Sequence, residues 1–216
     1  MRDLFHDELD VLNRSLVDII ELTGEAIEQA TAALLHADVS AAAAVQSIDD
    51  AIEQAYSEVE RRGVELLARQ QPMAKDLRRI ITSLRMIADA QRMGELAVHI
   101  AEVGRRRHPA SAVPAHLHPT IVEMGRIAQA LCAKCAHAIA GGDVRTAAEL
   151  DDDDDAMDAL HRRLFAVLLD PGWDGGVEYA VDLTLCGRYY ERFCDHAVSI
   201  AQRVVYLVTG ERAAIA

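Results

Sequence analysis

The feature that most constrains this chain is that it says the same thing twice. "DDAIE" at Asp49 to Glu53 returns as "DDAMD" at Asp154 to Asp158, and "ADV" at Ala37 to Val39 returns as "GDV" at Gly142 to Val144. Both pairs stand 105 residues apart (154 − 49 and 143 − 38). Further on, "QRMGELAVHI" at Gln91 to Ile100 aligns with "ERFCDHAVSI" at Glu191 to Ile200 at a spacing of 100, so the second copy has a shorter connection. Arg92/Arg192, Ala97/Ala197, Val98/Val198 and Ile100/Ile200 are identical. A period this long means that one supersecondary unit occurs twice.

That unit reads as three helices. Long 3.6-period stretches run over about 3–36, 40–70, 73–104, 119–140, 144–169 and 175–209. Alanine-rich, proline-poor and glycine-poor sequence favours this state. Asp38 marks a turn, Pro72 stops one helix and opens the next, and the glycines of "AGGDV" supply a C-cap. The expected fold is all-α: two similar three-helix bundles of antiparallel helices, covering 1–104 and 119–216, with 105–118 as linker.

Charge narrows the function. With 22 Lys and Arg against 35 Asp and Glu, the net charge is −13 and the pI about 5.0, which argues against nucleic acid and anionic membrane surfaces as partners. The charged, amphipathic start and the lack of any long uncharged apolar run lead us to expect a cytoplasmic protein without membrane insertion. Cys132, Cys135, Cys186 and Cys194 then read as reduced core thiols, "CAKC" included.

In the third helix, steps of 100° place Leu77, Ile81, Leu84 and Ala88 on one stripe, the expected core seam, and the stripe continues into Gln91, Glu95 and His99. In the sixth, Val177, Val181 and Leu185 lead into Glu191, Asp195 and Ser199. Asp49 with Glu53, and Asp154 with Asp158, are i, i+4 pairs on the second and fifth helices, and His161 extends the latter. Antiparallel packing would bring four carboxylate-type side chains together in each unit. Carboxylates that close repel, so a cation or protons must accompany them. Oxygen ligands suit Mg²⁺, Mn²⁺ or Ca²⁺, and imidazole from His99 or His161 widens the choice to iron or zinc. Other polar runs read as structural: "DDDDD" at Asp151 to Asp155 as a mostly solvated helix start, and "RRRHP" at Arg105 to Pro109 as a charged helix end. No phosphate-binding glycine loop or nucleophile–base motif is visible in the sequence.

The chain resembles the PhoU family of phosphate-regulon regulators, its actinobacterial branch most closely. The resemblance rests on "ELDVLNRSL", "LLARQQPMAKDLRRI", "DAQRMGELAVHIAEVGRRRHP", "DDAMDALHRRLF" and "YYERFCDHAVSIAQRVVYLVTG", which span the whole chain. It implies a homodimer and a non-catalytic adaptor that restrains a phosphate-sensing histidine kinase and communicates with the ATPase subunit of the phosphate ABC transporter. The family's metal motif, E/D-x-x-x-D, falls in full on Glu191 and Asp195. In the first repeat it falls on Gln91 and Glu95, where an amide replaces the first carboxylate. The expected metal residues are thus Glu191, Asp195, Asp154, Asp158 and His161 in the second repeat, with a weaker set, Asp49, Glu53, Gln91, Glu95 and His99, in the first. Another class of reading is metal storage or a di-iron oxidase. The latter wants Glu-x-x-His from two helices, and only Asp158 to His161 approaches that pattern.

Overall fold

The structure, a computed structural model, describes residues 2–70, 72 and 74–211. Gln71 and Met73 of the "LLARQQPMAKDLRRI" stretch, and the side chains of Arg69 and Gln70, lie outside the described residues. Six helices follow one another: α1 (Arg2–His36), α2 (Val39–Gln70), α3 (Ala74–Arg107), α4 (His118–Gly141), α5 (Val144–Leu168) and α6 (Gly176–Thr209). A single 3-10 turn, Ala115–Leu117, precedes α4. No strand occurs among the described residues.

Local chemistry sets the punctuation, and sets it twice. Asp38 caps α2 by accepting from the backbone N–H groups of Ser40 (2.8 Å) and Ala41 (3.1 Å). Asp143 caps α5 by accepting from Arg145 (3.0 Å) and Thr146 (3.1 Å). Each cap follows a left-handed residue that reverses the chain: Gly142 at φ 61°, where glycine carries no penalty, and Ala37 at φ 49°, where a Cβ makes it costly.

α1 packs on α2, α3 and α4; α6 packs on α3, α4 and α5. Among the described residues, α2 touches only α1 and α3, and α5 only α4 and α6, so these two flank a central set of α1, α3, α4 and α6. The two bundles therefore share one continuous core. Fully buried Leu9, Leu12, Leu16, Ile19, Ile20, Ile27 and Leu34 make α1 apolar on more than one face, as a helix with three neighbours must be. Close approach needs small residues: a methyl group at Gly104 of α3 would stand 2.3 Å from the carbonyl oxygen of Ala33 in α1.

Polar ties cross between the repeats along the antiparallel α3/α6 pair. Arg107 meets Asp182 (2.7 Å) at one end, Asp89 accepts from Arg203 Nε (2.9 Å) and meets His196 Nδ1 (3.1 Å) in the middle, and the Arg78 guanidinium lies over the Tyr206 ring at the other end. Buried Tyr190 donates its hydroxyl hydrogen to Thr31 Oγ1 (2.7 Å), which in turn donates to the Ile27 carbonyl.

Two expectations need correction. The stretch read as a linker from residue 105 begins as helix, because α3 runs on through Arg105 to Arg107. Its arginines are engaged there, Arg105 with Glu102, Arg106 and Arg107 with Asp182. The supposed core seam is also on the outside: Leu77 is 41% exposed and Ile81 36%, while in the second repeat Val177 is 79%, Val181 52% and Leu185 38% exposed. The core of α3 runs instead through Ile80, Ile87, Ala90, Met93, Ala97 and Ile100, and that of α6 through Leu183, Tyr190, Phe193, Cys194, Ala197 and Ile200. Because α3 and α6 each pack against three helices, most of their circumference is buried. The predicted stripe is the remaining arc.

Candidate metal centres

The same rotation moves the acidic stripe out of the core and onto the grooves between α2 and α3 and between α5 and α6. Glu191 is partly buried, its side chain 15% exposed, whereas Asp195 stands exposed on the groove wall. In the first repeat Gln91 and Glu95 are partly buried, and Glu53 and His99 are exposed. These side chains do not point inward as the seam implied, but the helices do bring the two halves of each set to one groove.

In the first groove, Asp49 of α2 lies over Gly94 of α3, close enough that a methyl group there would stand 2.6 Å from Asp49 Oδ1. Partial burial, then the charges of Glu95, Asp50 and Glu53, push the Asp49 carboxyl above its ordinary value, with His99 acting in the opposite sense. The Gln91 amide donates to Glu53 across the groove, and Arg92 pairs with Glu95 one turn along. His99 leans over the Tyr189 ring of α6, 5.2 Å between centroids, on the side facing the other repeat. This groove satisfies its own polar groups: the amide at Gln91 does for Glu53 what a cation would otherwise do.

The second groove is less settled. Asp154 of α5 is pushed up to about 7, first by burial and then by Asp195, Asp158, Glu191 and Asp151. Its Oδ1 and the Nε2 of His161 are both buried without a hydrogen-bond partner among the described residues. His161 packs edge-on against Phe165 and lies over Gly187, where a methyl group would stand 3.1 Å from its Cδ2. Glycine at that position admits the imidazole to the α5/α6 groove. At the corresponding place in the first repeat stands buried Ile87. Glu191 is held by Arg188, one turn earlier on α6.

Among the described residues, no three His, Cys, Asp or Glu side chains are assembled closely enough to hold a metal ion as they stand. The donor chemistry of the second groove nonetheless fits a cation, since two buried polar atoms lack partners and five carboxyls share one electrostatic neighbourhood. Sequence reasoning missed Arg188, Gly187 and Gly94. The i, i+3 spacing of Arg188 and Glu191 was a visible signal; the glycine contacts cross between helices and had none. The thiols carry no such chemistry: all four are buried, and burial pushes Cys132 up to about 12 and the other three well above the ordinary thiol value.

Comparison with known proteins agrees with the repeat. Residues 16–104 and 121–204 each match the PhoU domain. The chain is 44% identical over 210 residues, 97% of its own length and 99% of the relative's, to the phosphate-specific transport system accessory protein PhoU homolog 2 of Mycobacterium tuberculosis. It is 43% identical, over 97% of its length and 95% of the relative's, to homolog 1 of Mycobacterium leprae. Among solved structures, the phosphate transport system regulatory protein PhoU from Streptococcus pneumoniae superposes with a TM-score of 0.86 at 26% identity, covering 98% of this chain and all of that one. PhoU from Pseudomonas aeruginosa gives 0.83 at 26% identity, covering 96% of this chain and all of that one. With both repeats matched and actinobacterial relatives similar from end to end, the chain belongs to the PhoU family, a family of regulatory and accessory proteins rather than enzymes.

Proposed function

We propose that this protein is a phosphate-signalling adaptor that negatively controls the phosphate regulon. It acts, as a homodimer in the cytoplasm, on the phosphate-sensing histidine kinase and on the ATPase subunit of the high-affinity phosphate ABC transporter. The observation that carries this reading is similarity over 97% of the chain to phosphate-transport accessory proteins. Two features agree with it: no helix among the described residues is long and apolar enough to cross a membrane, and the surface is strongly acidic. Deleting the gene should leave phosphate-starvation genes active in phosphate-rich medium. Normal repression in the deletion strain would sink the proposal.

Within this reading, residues 1–104 and 119–216 act as two repeat units, and the second groove holds a divalent or transition-metal cation through Glu191, Asp195, Asp154, Asp158 and His161. Binding requires Glu191 to turn away from Arg188. When bound, the cation neutralises the clustered carboxylates. The first set, Asp49, Glu53, Gln91, Glu95 and His99, is the weaker site, because Gln91 already satisfies Glu53. Elemental analysis of purified protein should therefore show metal that a Glu191→Ala/Asp195→Ala double mutant loses; equal metal in both refutes the assignment. The oxidase and storage readings are set aside, since nothing in either groove favours them over an adaptor.

A further inference from the structure

The outward stripe of α6 has a feature that the metal set leaves unused. Phe165 and Leu169 from the end of α5, Trp173 from the connecting loop, and Val177, Val181 and Leu185 from α6 line an open apolar groove of about 490 Å³. Leu169 and Val177 are each more than three-quarters exposed, and Val181 is half exposed. Contiguous apolar surface on a protein this acidic marks a contact site rather than chance exposure. Its first-repeat counterparts, Leu77 and Ile81, stand 100 residues earlier and are also exposed, so the arrangement recurs.

The charges around the groove specify what it fits. Past Leu185 the α6 stripe reaches Glu191 and Asp195, about 9 and 15 Å further along at 1.5 Å per residue, and Asp158 faces them from α5. Asp170 and Asp174 stand at the loop end and Glu178 at the side. Of the nearby cations, Arg188 is joined to Glu191, Arg107 to Glu178 and Asp182, and Arg106 to Asp182, while Arg162 and Arg163 of α5 and Arg192 of α6 are exposed. The groove is thus apolar at one end and acidic at the other. From this juxtaposition we infer that the α5/α6 groove is a docking site for a basic amphipathic helix of a partner protein. That helix would present apolar side chains at i, i+4 and i+7 to Val177, Val181 and Leu185, and Lys or Arg one to three turns beyond to Asp158, Glu191 and Asp195, where the basic groups take the place of the cation proposed above, so that metal and helix compete for these carboxylates. The inference deepens the adaptor reading and rests on it for the partner's role, but not for the chemistry of the surface.

Trp173, the only tryptophan in the chain, sits in the groove and reports on it directly. The experiment titrates the full chain with a tryptophan-free helical peptide bearing leucines at i, i+4 and i+7 and three lysines beyond them, following Trp173 emission. A saturable blue shift is expected, weakened several-fold between about 0.05 and 0.5 M salt. At least a tenfold loss is expected for Val181→Glu, for Val177→Glu and for a peptide with glutamate in place of lysine. Both substitutions lie at exposed positions, and unchanged far-UV CD melts confirm that the variants fold.

No saturable shift, equal binding of the glutamate peptide, or undiminished binding by both variants overturns the inference. So does self-association of the parent that Val181→Glu abolishes while the peptide has no effect, because the groove is then filled by a second copy. A shift with phosphatidylglycerol vesicles but not with the peptide overturns it as well. Failure of peptide binding alongside derepression in the deletion strain removes this surface and leaves the adaptor reading. Peptide binding alongside normal repression removes the adaptor and leaves the surface.

Discussion

Replacing Asp154 with asparagine isolates the electrostatics of the second groove. Burial, and then the charges of Asp195, Asp158, Glu191 and Asp151, push the Asp154 carboxyl up to about 7 in the folded protein, against 3.8 in an unfolded chain. Below 3.8 both states hold the proton and the group has no effect on folding. Between 3.8 and about 7 the unfolded chain gives up its proton first, so stability falls as pH rises, and the full penalty is reached above 7. A shift of about 3 pH units corresponds to about 4 kcal/mol. Since the carboxyl is only partly buried, solvent screening brings the figure to about 2 kcal/mol. Asp154→Asn keeps the shape and carries no charge at any pH, so it should remove this penalty. In chelator-treated protein, the variant should exceed the parent by about 2 kcal/mol in urea denaturation at pH 8 and by nearly nothing at pH 4. For a chain of this length that is about 4 to 8 °C in Tm. Added divalent cation should close the gap at pH 8 by stabilising the parent and not the variant. A pH-independent difference between the two, or a variant less stable than the parent at pH 8, would refute the reasoning.

Three further outcomes follow from the geometry. Gly94→Ala should cost about 1 to 2 kcal/mol, because the new methyl group collides with Asp49 Oδ1, and an Asp49→Ala background should recover at least half of that in a double-mutant cycle by thermal melts. Gly142→Ala should cost about 1 kcal/mol, lowering Tm by about 2 to 4 °C, since its left-handed backbone is strained for any residue with a Cβ. All four thiols should be inert to Ellman's reagent at pH 8 in the native protein and all four should react in guanidinium; rapid reaction of any one in the native state contradicts their burial.

Much of this architecture was legible in the residues alone. The recurrence of "DDAIE" as "DDAMD", and of "QRMGELAVHI" as "ERFCDHAVSI", determined that one three-helix unit occurs twice, because each segment carries its own helical period and its own cap. The turn at Asp38 and the glycine C-cap of "AGGDV" were legible because such punctuation is local chemistry, settled within two or three residues whatever the rest of the fold does. The pairing of Asp49 with the Gln91 to Glu95 segment, and of Asp154 with Glu191 and Asp195, was also readable, since short connections oblige consecutive helices to lie side by side.

Which stripe faces inward was decided only by tertiary structure. Periodicity finds an apolar row on a helix but not the number of neighbours that helix will have, and α3 and α6 each have three. With most of the circumference buried, Leu77, Ile81 and Ala88 of that row were left facing water while Leu84 packs against the core, and the acidic continuation at Glu191 and Asp195 came to line a groove instead of a core. The inequality of the two grooves was half visible. Gln91 announced it from the sequence, but its bond to Glu53, the hold of Arg188 on Glu191 and the seat that Gly187 makes for His161 depend on distances between helices. Spacing along the chain determined which residues could meet, and packing decided what they met, because side-chain neighbours across a helix interface are set by the crossing of two backbones and not by either sequence alone.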